Sequence, residues 1–313
     1  MNMTTVKTPR PSRTSADSRR TGAKQATQTD EATETKMSTS TSTRPEMPDG
    51  SLAVMARPKA ATARDGGTTA ATATARASAS LASESARRLR DGLALLEQHV
   101  EFTRRVVHAG DHVYRGGEAF GNLHVINSGL FRSVKIAADG REQVVGLHFK
   151  GDWLGFDGIA AGQYGCDAIA MDTGEVWTFR YDALLKACAE VPALMCMMHA
   201  AMSGQIARDR DSLLSLGTLP ADARVADFLK YWAESLAARG LRTDQITLRM
   251  TRAEIGNYLG MTLETVSRAL GRLARSGVIM FNEKGRRDIS IPCVDALGEF
   301  IQTSLNPASV TLQ

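Results

Sequence analysis

The sequence predicts an α+β chain with an N-terminal β-roll (jelly roll), one long helix and a C-terminal winged helix-turn-helix. Three observations carry this. Short apolar runs alternate with Gly-containing turns from Val106 to Arg180; the apolar spacing then changes to steps of three and four; and residues 251–277, TRAEIGNYLGMTLETVSRALGRLARSG, contain two capped helical segments around a glycine. The expected boundaries are 1–90 for a disordered basic tail, 91–190 for the β-roll, 191–219 for the long helix, 220–303 for the winged helix-turn-helix and 304–313 for a flexible C-terminus.

Residues 1–90 hold 15 of the 38 Lys and Arg against eight of the 34 Asp and Glu, so residues 91–313 keep 23 basic against 26 acidic residues. All of the basic excess therefore lies in the tail. This stretch is rich in Thr, Ser, Ala and Arg, with almost no large apolar residue before about position 81. It cannot bury enough apolar surface to offset the entropy of ordering it. Two readings stay open: a basic arm adding salt-sensitive affinity for nucleic acid, or an extension without that role, including a start placed too far upstream. Eight acidic residues argue against a transit peptide. No apolar run approaches the roughly 18 residues of a spanning helix and no signal-peptide core is present, so a cytoplasmic protein with no membrane partner is expected. Cys166, Cys188, Cys196 and Cys293 form no C-x-x-C pair, which speaks against zinc or a disulfide scaffold. Cys188 and Cys196 read as core residues and Cys166 as the most exposed thiol.

Within 106–180 the runs HVY, LHVINSG, LFRSVKI, QVVGLHF and EVWTF are punctuated by Gly110, Gly116, Gly117, Gly129, Gly140 and Gly151. That rhythm suits a small all-β roll, and Asp139-Gly140 in AADGRE predicts a hairpin.

Beyond Arg180 a short helix is predicted over Tyr181–Cys188, and Pro192 suits the first turn of a longer one reaching about Gly217. Met195, His199, Met202, Ile206, Asp209, Leu213 and Leu216 follow at steps of 4, 3, 4, 3, 4 and 3, an a/d seam. The seam predicts a homodimer through this helix; the alternative is packing on its own domain. At a parallel two-fold seam Asp209 faces its own copy, which weakens the dimer, unless it turns to solvent or pairs with Arg208 or Arg210 of the other chain.

In 251–277, Thr251 with Glu254 forms a capping box, and Ile255, Tyr258 and Leu259 supply one apolar face. Gly260 and Met261 make the turn. Thr262 caps a second helix that buries Val266, Leu270 and Leu273 and stops at Ser276-Gly277. Such a pair sends its second helix into the major groove of double-stranded DNA. Leu263, Glu264, Ser267 and Arg268 face outward near its start. Arg268 can fork onto guanine O6 and N7, Glu264 can accept from cytosine N4, Ser267 can bond either kind of base edge, and Leu263 can touch a thymine methyl. The alternatives are dipole stabilisation by Glu264 and a surface Glu264–Arg268 ion pair. Thr251, Arg252, Thr262, Arg272 and Arg275 are placed for phosphates. VIMFNEKGRRDISI then reads as the wing, with Lys284, Arg286 and Arg287 on its turn.

With these residues in place, the stretch from about 92 to 300 resembles the cyclic-AMP receptor / fumarate-nitrate reduction regulator (CRP/FNR) superfamily, and most its FNR branch. The helix-turn-helix segment, GREQVVGLHFKGDWLGFDGIA and MSGQI carry the likeness. It implies a homodimeric transcription factor with a cyclic-nucleotide-binding-like β-roll, a dimerisation helix and a winged helix. The branch's recognition motif E-x-x-S-R is matched by Glu264, Ser267 and Arg268, implying TTGAT-type inverted half-sites. The hairpin Ile136, Asp139, Gly140, Arg141 matches the loop through which the family touches RNA polymerase, although Arg141 replaces an acidic residue.

The sensor end departs from the pattern. The branch's oxygen sensors hold an iron–sulfur cluster with three N-terminal cysteines and one in the β-roll, whereas here no cysteine precedes Cys166 and Trp177 stands at the β-roll position. Cyclic-nucleotide binders use a Glu and an Arg-Ser pair where this chain has Phe156, Cys166 and Asp167, which leaves no bidentate phosphate clamp. The expectation is no cofactor and no metal, with the sensed signal open. The competing readings are a cupin-like or haem/metal sensor using His108, His112, His124 or His148, and a thiol-redox sensor using Cys166. No P-loop, dinucleotide fingerprint, G-x-S-x-G or H-E-x-x-H is present, so an enzyme is not expected.

Overall fold

The computed structural model describes residues 69–282 and 287–305, with side chains from residue 80 onward. The predicted disorder of residues 1–68, the wing residues Lys284 and Arg286, and the predicted flexible end beyond Leu305 lie outside the described residues.

The boundary expected at residue 90 is corrected by the first helix, α1 (Thr69–His99), which runs straight through it. Leu89, Leu93, Leu96 and Val100 recur at steps of 4, 3 and 4 and turn one face of the helix inward. They join Trp153, Trp177, Phe179, Leu194 and Met198 in one apolar cluster. Averaged composition concealed this stripe, because the residues ahead of it are almost purely polar and small.

The β-roll comprises β1 (Thr103–Val107), β2 (His112–Tyr114), β3 (Asn122–Ser128), β4 (Phe131–Ile136), β5 (Glu142–His148), β6 (Trp153–Leu154), the short α2 (Gly158–Ala161), β7 (Asp167–Ala170) and β8 (Gly174–Arg180). They form two antiparallel four-stranded sheets, ordered β1-β8-β3-β6 and β2-β7-β4-β5. Val107, Tyr114, Ile126, Phe131, Leu154, Tyr164 and Val176 fill a buried cluster of the roll. The predicted hairpin joins β4 to β5, with Gly140 at φ 83° closing the turn.

Two helices follow, α3 (Tyr181–Glu190) and α4 (Pro192–Thr218), with Pro192 in the first turn of α4 as expected. At about 1.5 Å per residue α4 is roughly 40 Å long. Leu219 and Pro220 are extended and lead into α5 (Ala221–Ala237), which buries Val225, Phe228, Leu229 and Trp232. The C-terminal part continues with β9 (Gln245–Thr247), α6 (Arg252–Leu259), α7 (Leu263–Arg275), β10 (Met280–Phe281), β11 (Asp288–Ser290) and α8 (Val294–Leu305), its sheet ordered β10-β11-β9. Val134, Val144, Leu147 and Phe149 of the roll share one buried cluster with Phe228, Trp232, Ile255 and Leu259. The roll and the C-terminal domain therefore meet through apolar side chains.

Candidate nucleic-acid interface

Both halves of the capping box at α6 are formed. The Thr251 amide donates to Glu254 Oε2 at 2.7 Å, and the Glu254 amide donates to Thr251 Oγ1 at 3.2 Å. At the far end Gly260 takes φ 63°, a left-handed geometry that glycine adopts without the Cβ clash other residues would suffer. Thr262 Oγ1 then accepts the Thr265 amide at 3.2 Å and starts α7. Val266, Ala269, Leu270 and Leu273 are buried on one side of α7, against Ile255 and Leu259 of α6 in the same cluster.

The opposite side of α7 presents Leu263, Glu264, Ser267 and Arg268, all exposed and within one turn and a half. Arg268 Nε reaches the Glu264 carbonyl oxygen at 3.4 Å. The Glu264 carboxyl is held below its ordinary value by its own backbone N–H and the Thr262 hydroxyl, so it remains an ionised acceptor. A neutral hydroxyl, a carboxylate and a guanidinium thus stand on one solvent-facing patch at a helix N-terminus.

The five residues expected at phosphates divide. Thr251 and Thr262, the two helix caps, and Arg275, at the C-terminal end of α7, are exposed. Arg252 is half-buried with its guanidinium over the Phe281 ring at 5.7 Å. Arg272 is exposed too, but its fork is engaged by the Asp222 carboxylate of α5 through both Nε and Nη2. An acidic neighbour one helix away, invisible to local reading, has claimed it. Of the wing residues, Arg287 is exposed.

The seam on α4 is also divided. Met195 and Met202 pack against the cluster that holds Leu93 and Leu96, so this half serves its own chain. His199, Ile206, Asp209 and Leu213 are exposed, Leu216 is half-buried, and Leu214, outside the predicted seam, is 63% exposed. Three large apolar residues in the second half of α4 are left facing water. Partial desolvation by its neighbours raises the Asp209 carboxyl, with Arg208 opposing it.

The hairpin tip, Ile136 to Arg141, is exposed, and Arg141 Nε donates to Asp139 Oδ2 at 2.7 Å.

At the sensor end Cys166 is half-buried, while Cys196 and Cys293 are exposed, correcting the expected core place of Cys196. Burial and the Asp157 carboxylate push the Cys166 thiol up to about 12, the opposite of what a reactive thiolate needs. Asp167 does not face an open phosphate site; it accepts the Gly116 amide at 2.7 Å and stands 3.2 Å from His112 Nε2. Phe156 stacks on Trp153 with centroids 5.7 Å apart, and Trp177 is buried beside Phe102. These residues do not fit a cyclic nucleotide, and Trp177 offers no thiolate to an iron–sulfur cluster. The histidines are committed separately: His108 to Thr173, His112 to Asp167, His124 to Thr178 and His148 to Ser133. Among the described residues no three His, Cys, Asp or Glu side chains are grouped to hold a metal ion, and no helix is long and apolar enough to cross a membrane.

Two residues that matter here were not singled out from the sequence. Gly256 is buried in α6 where an added Cβ would lie 2.5 Å from the Met261 carbonyl oxygen, and Asn257 binds β5. Their signal was present only as a small residue and an amide inside an otherwise ordinary short helix.

Comparison with known proteins places these features. The Crp-like helix-turn-helix domain matches residues 223–300, and the cyclic nucleotide-binding domain matches residues 104–191. The fumarate and nitrate reduction regulatory protein of Escherichia coli K12 is 35% identical over 205 residues, which span 66% of this chain and 81% of that protein. Its counterpart from Salmonella typhimurium gives the same identity and coverage. Among solved structures, FixK2 from Bradyrhizobium japonicum is 29% identical with a TM-score of 0.57, over 64% of this chain and 97% of that one. A CooA mutant from Carboxydothermus hydrogenoformans, 18% identical with a TM-score of 0.52 over 64% of this chain and 87% of that one, shares the fold.

Proposed function

The chain belongs to the CRP/FNR family of DNA-binding transcriptional regulators, and on that premise we propose that it binds a TTGAT-type inverted repeat as a homodimer. The observation that carries this reading is the solvent-facing patch of Glu264, Ser267 and Arg268 at the capped start of α7. Arg268 forks onto a guanine, Glu264 accepts from a cytosine amino group, and Ser267 bonds an adjacent base edge. Leu263, 45% exposed, covers a thymine methyl. Thr251, Thr262 and Arg275 hold phosphates and fix register.

The dimer forms through the second half of α4, where Ile206, Leu213 and Leu214 meet their copies. Burying them removes apolar surface from water at about 25 cal/mol per Å². Two recognition helices then enter successive major grooves about 34 Å apart. Coupling to RNA polymerase would run through the Ile136–Arg141 hairpin, whose one carboxylate, Asp139, is already neutralised by Arg141. No catalytic role is assigned, and neither a cyclic nucleotide nor an iron–sulfur cluster is the signal.

Band-shift titration on a TTGAT inverted repeat at fixed salt tests the reading. Arg268→Ala should weaken binding by about 1–3 kcal/mol per half-site and relax the guanine preference. Unchanged affinity and sequence preference would show that α7 does not read bases.

A further inference from the structure

β5 is the edge strand of its sheet, so one row of its backbone groups lacks a partner strand. Asn257, in the middle of α6, fills part of that row. Its Oδ1 accepts the Val144 amide at 2.6 Å, and its Nδ2 donates to the Glu142 carbonyl at 2.7 Å. The amide can satisfy both groups in one orientation only, because the reverse would set donor against donor. The Gln143 side chain closes the contact by donating to the Asn257 carbonyl. One turn earlier on α6, Glu254 pairs with Arg132 of β4. A polar seam thus fixes α6 on the sensor sheet in a single register, beside the shared apolar cluster.

That register passes to the recognition helix. The Met261 amide donates to the Gly256 carbonyl at 2.9 Å, and Gly256 leaves no room for a Cβ against Met261. α7 therefore follows α6 as one body. The covalent link from α4 is the extended Leu219-Pro220 segment, whose Leu219 carbonyl accepts from Arg224 Nε of α5 at 3.0 Å.

We propose that Asn257 is a positioning residue for DNA binding: by completing the β5 edge it aims the recognition helix and so sets the half-site spacing that the dimer accepts. This rests on the reading of the chain as an inverted-repeat binder. Each added base pair moves a half-site by about 3.4 Å and turns it by roughly 35°. Without the seam, the apolar cluster and the Arg239–Asp152 pair still hold the domain to the roll but leave the register of α6 on β5 free to slip, so such a shift should be tolerated; with the seam intact it should not.

The test uses the full chain and three probes: TTGAT inverted repeats at the preferred spacing, the same repeats one base pair longer or shorter, and a single half-site. The wild-type protein should disfavour altered spacing by about tenfold or more. Asn257→Ala should reduce that ratio to about threefold or less while single half-site affinity and far-UV circular dichroism stay at wild-type levels. Asn257→Asp, which keeps an acceptor for Val144 but loses the donor to Glu142, should follow it. Wild-type spacing preference in both variants, or an equal loss on all three probes, would overturn the role of Asn257 alone. A wild-type protein that does not distinguish an inverted repeat from a single half-site would overturn the underlying reading with it.

Discussion

Arg239 Nη2 lies 2.9 Å from Asp152 Oδ1, joining the end of α5 to the turn after β5 with side chains only 12% and 13% exposed. Arg239 also donates to the Lys150 and Ser235 carbonyls, each at 2.7 Å, and covers the Phe149 ring at 5.0 Å. Burial alone would raise the Asp152 carboxyl, but Arg239, Arg208 and His148 outweigh it and hold the group below the usual carboxylate range. A depressed carboxylate contributes stability that is present above its unfolded value and lost as pH falls through the folded one.

Removing one partner leaves the other charged and dry, so Arg239→Ala should cost about 3–5 kcal/mol in urea unfolding. The double variant Arg239→Met, Asp152→Leu should cost clearly less than the two single changes together. Additive losses would mean that the pair is solvated.

Gly256→Ala should be damaging although alanine is the better helix former by roughly 1 kcal/mol. The new Cβ meets the Met261 backbone oxygen at 2.5 Å, and backbone cannot step aside as a flexible side chain can. Overpacking of this kind costs about 1–3 kcal/mol and should tilt α7, lowering both the unfolding midpoint and DNA affinity. Gly260→Asn is the control: asparagine tolerates the left-handed φ of 63°, so stability should fall only slightly.

The basic residues of α7 should separate by salt dependence. Arg275 is exposed and Arg272 is engaged by Asp222. Arg275→Ala should reduce the slope of log affinity against log salt by about 1 per half-site, about 2 for the dimer on an inverted repeat, the signature of one lost phosphate contact in each protomer. Arg272→Ala should leave that slope unchanged and cost about 1 kcal/mol or less of stability, since its ion pair is partly solvated. The reverse pattern would return Arg272 to the phosphate set.

The contrast shows what the sequence can and cannot convey. Thr251, Glu254, Gly260 and Thr262 act within a few residues of themselves, so caps and turn were legible from spacing alone. The β4–β5 hairpin at Asp139-Gly140 was legible for the same reason. The Arg272–Asp222 pair was not legible because its partners lie 50 positions apart, nor were the Asn257 contacts, whose partners are 113 and 115 positions away. α1 was hidden differently: its apolar stripe begins only near Leu89, after a long polar stretch that dominated the composition. The a/d seam on α4 was legible as a period, but period cannot tell that Met195 and Met202 are taken up by their own chain and Leu214 is not.

Acid should loosen the fold through two histidines. His148 is buried with Nε2 2.8 Å from Ser133 Oγ, and its Nδ1 has no partner among the described residues. Burial lowers it from 6.5 to about 4; Asp152 and Asp157 pull the other way, and Arg208 and Arg239 assist the lowering. His124, bonded to Thr178 at 3.0 Å, is lowered to about 4 by burial and Arg105. Above 6.5 neither the folded nor the unfolded chain protonates these rings, so stability is flat on their account. Between 6.5 and about 4 the unfolded chain takes up protons that the folded chain refuses, and stability falls as pH falls. Each histidine contributes a limiting slope of about 1.4 kcal/mol per pH unit in this window. His148→Gln should remove one such contribution from the pH dependence of urea unfolding, whatever its effect at neutral pH. A slope that His148→Gln does not change would mean that the imidazole is already charged, or solvated, in the fold.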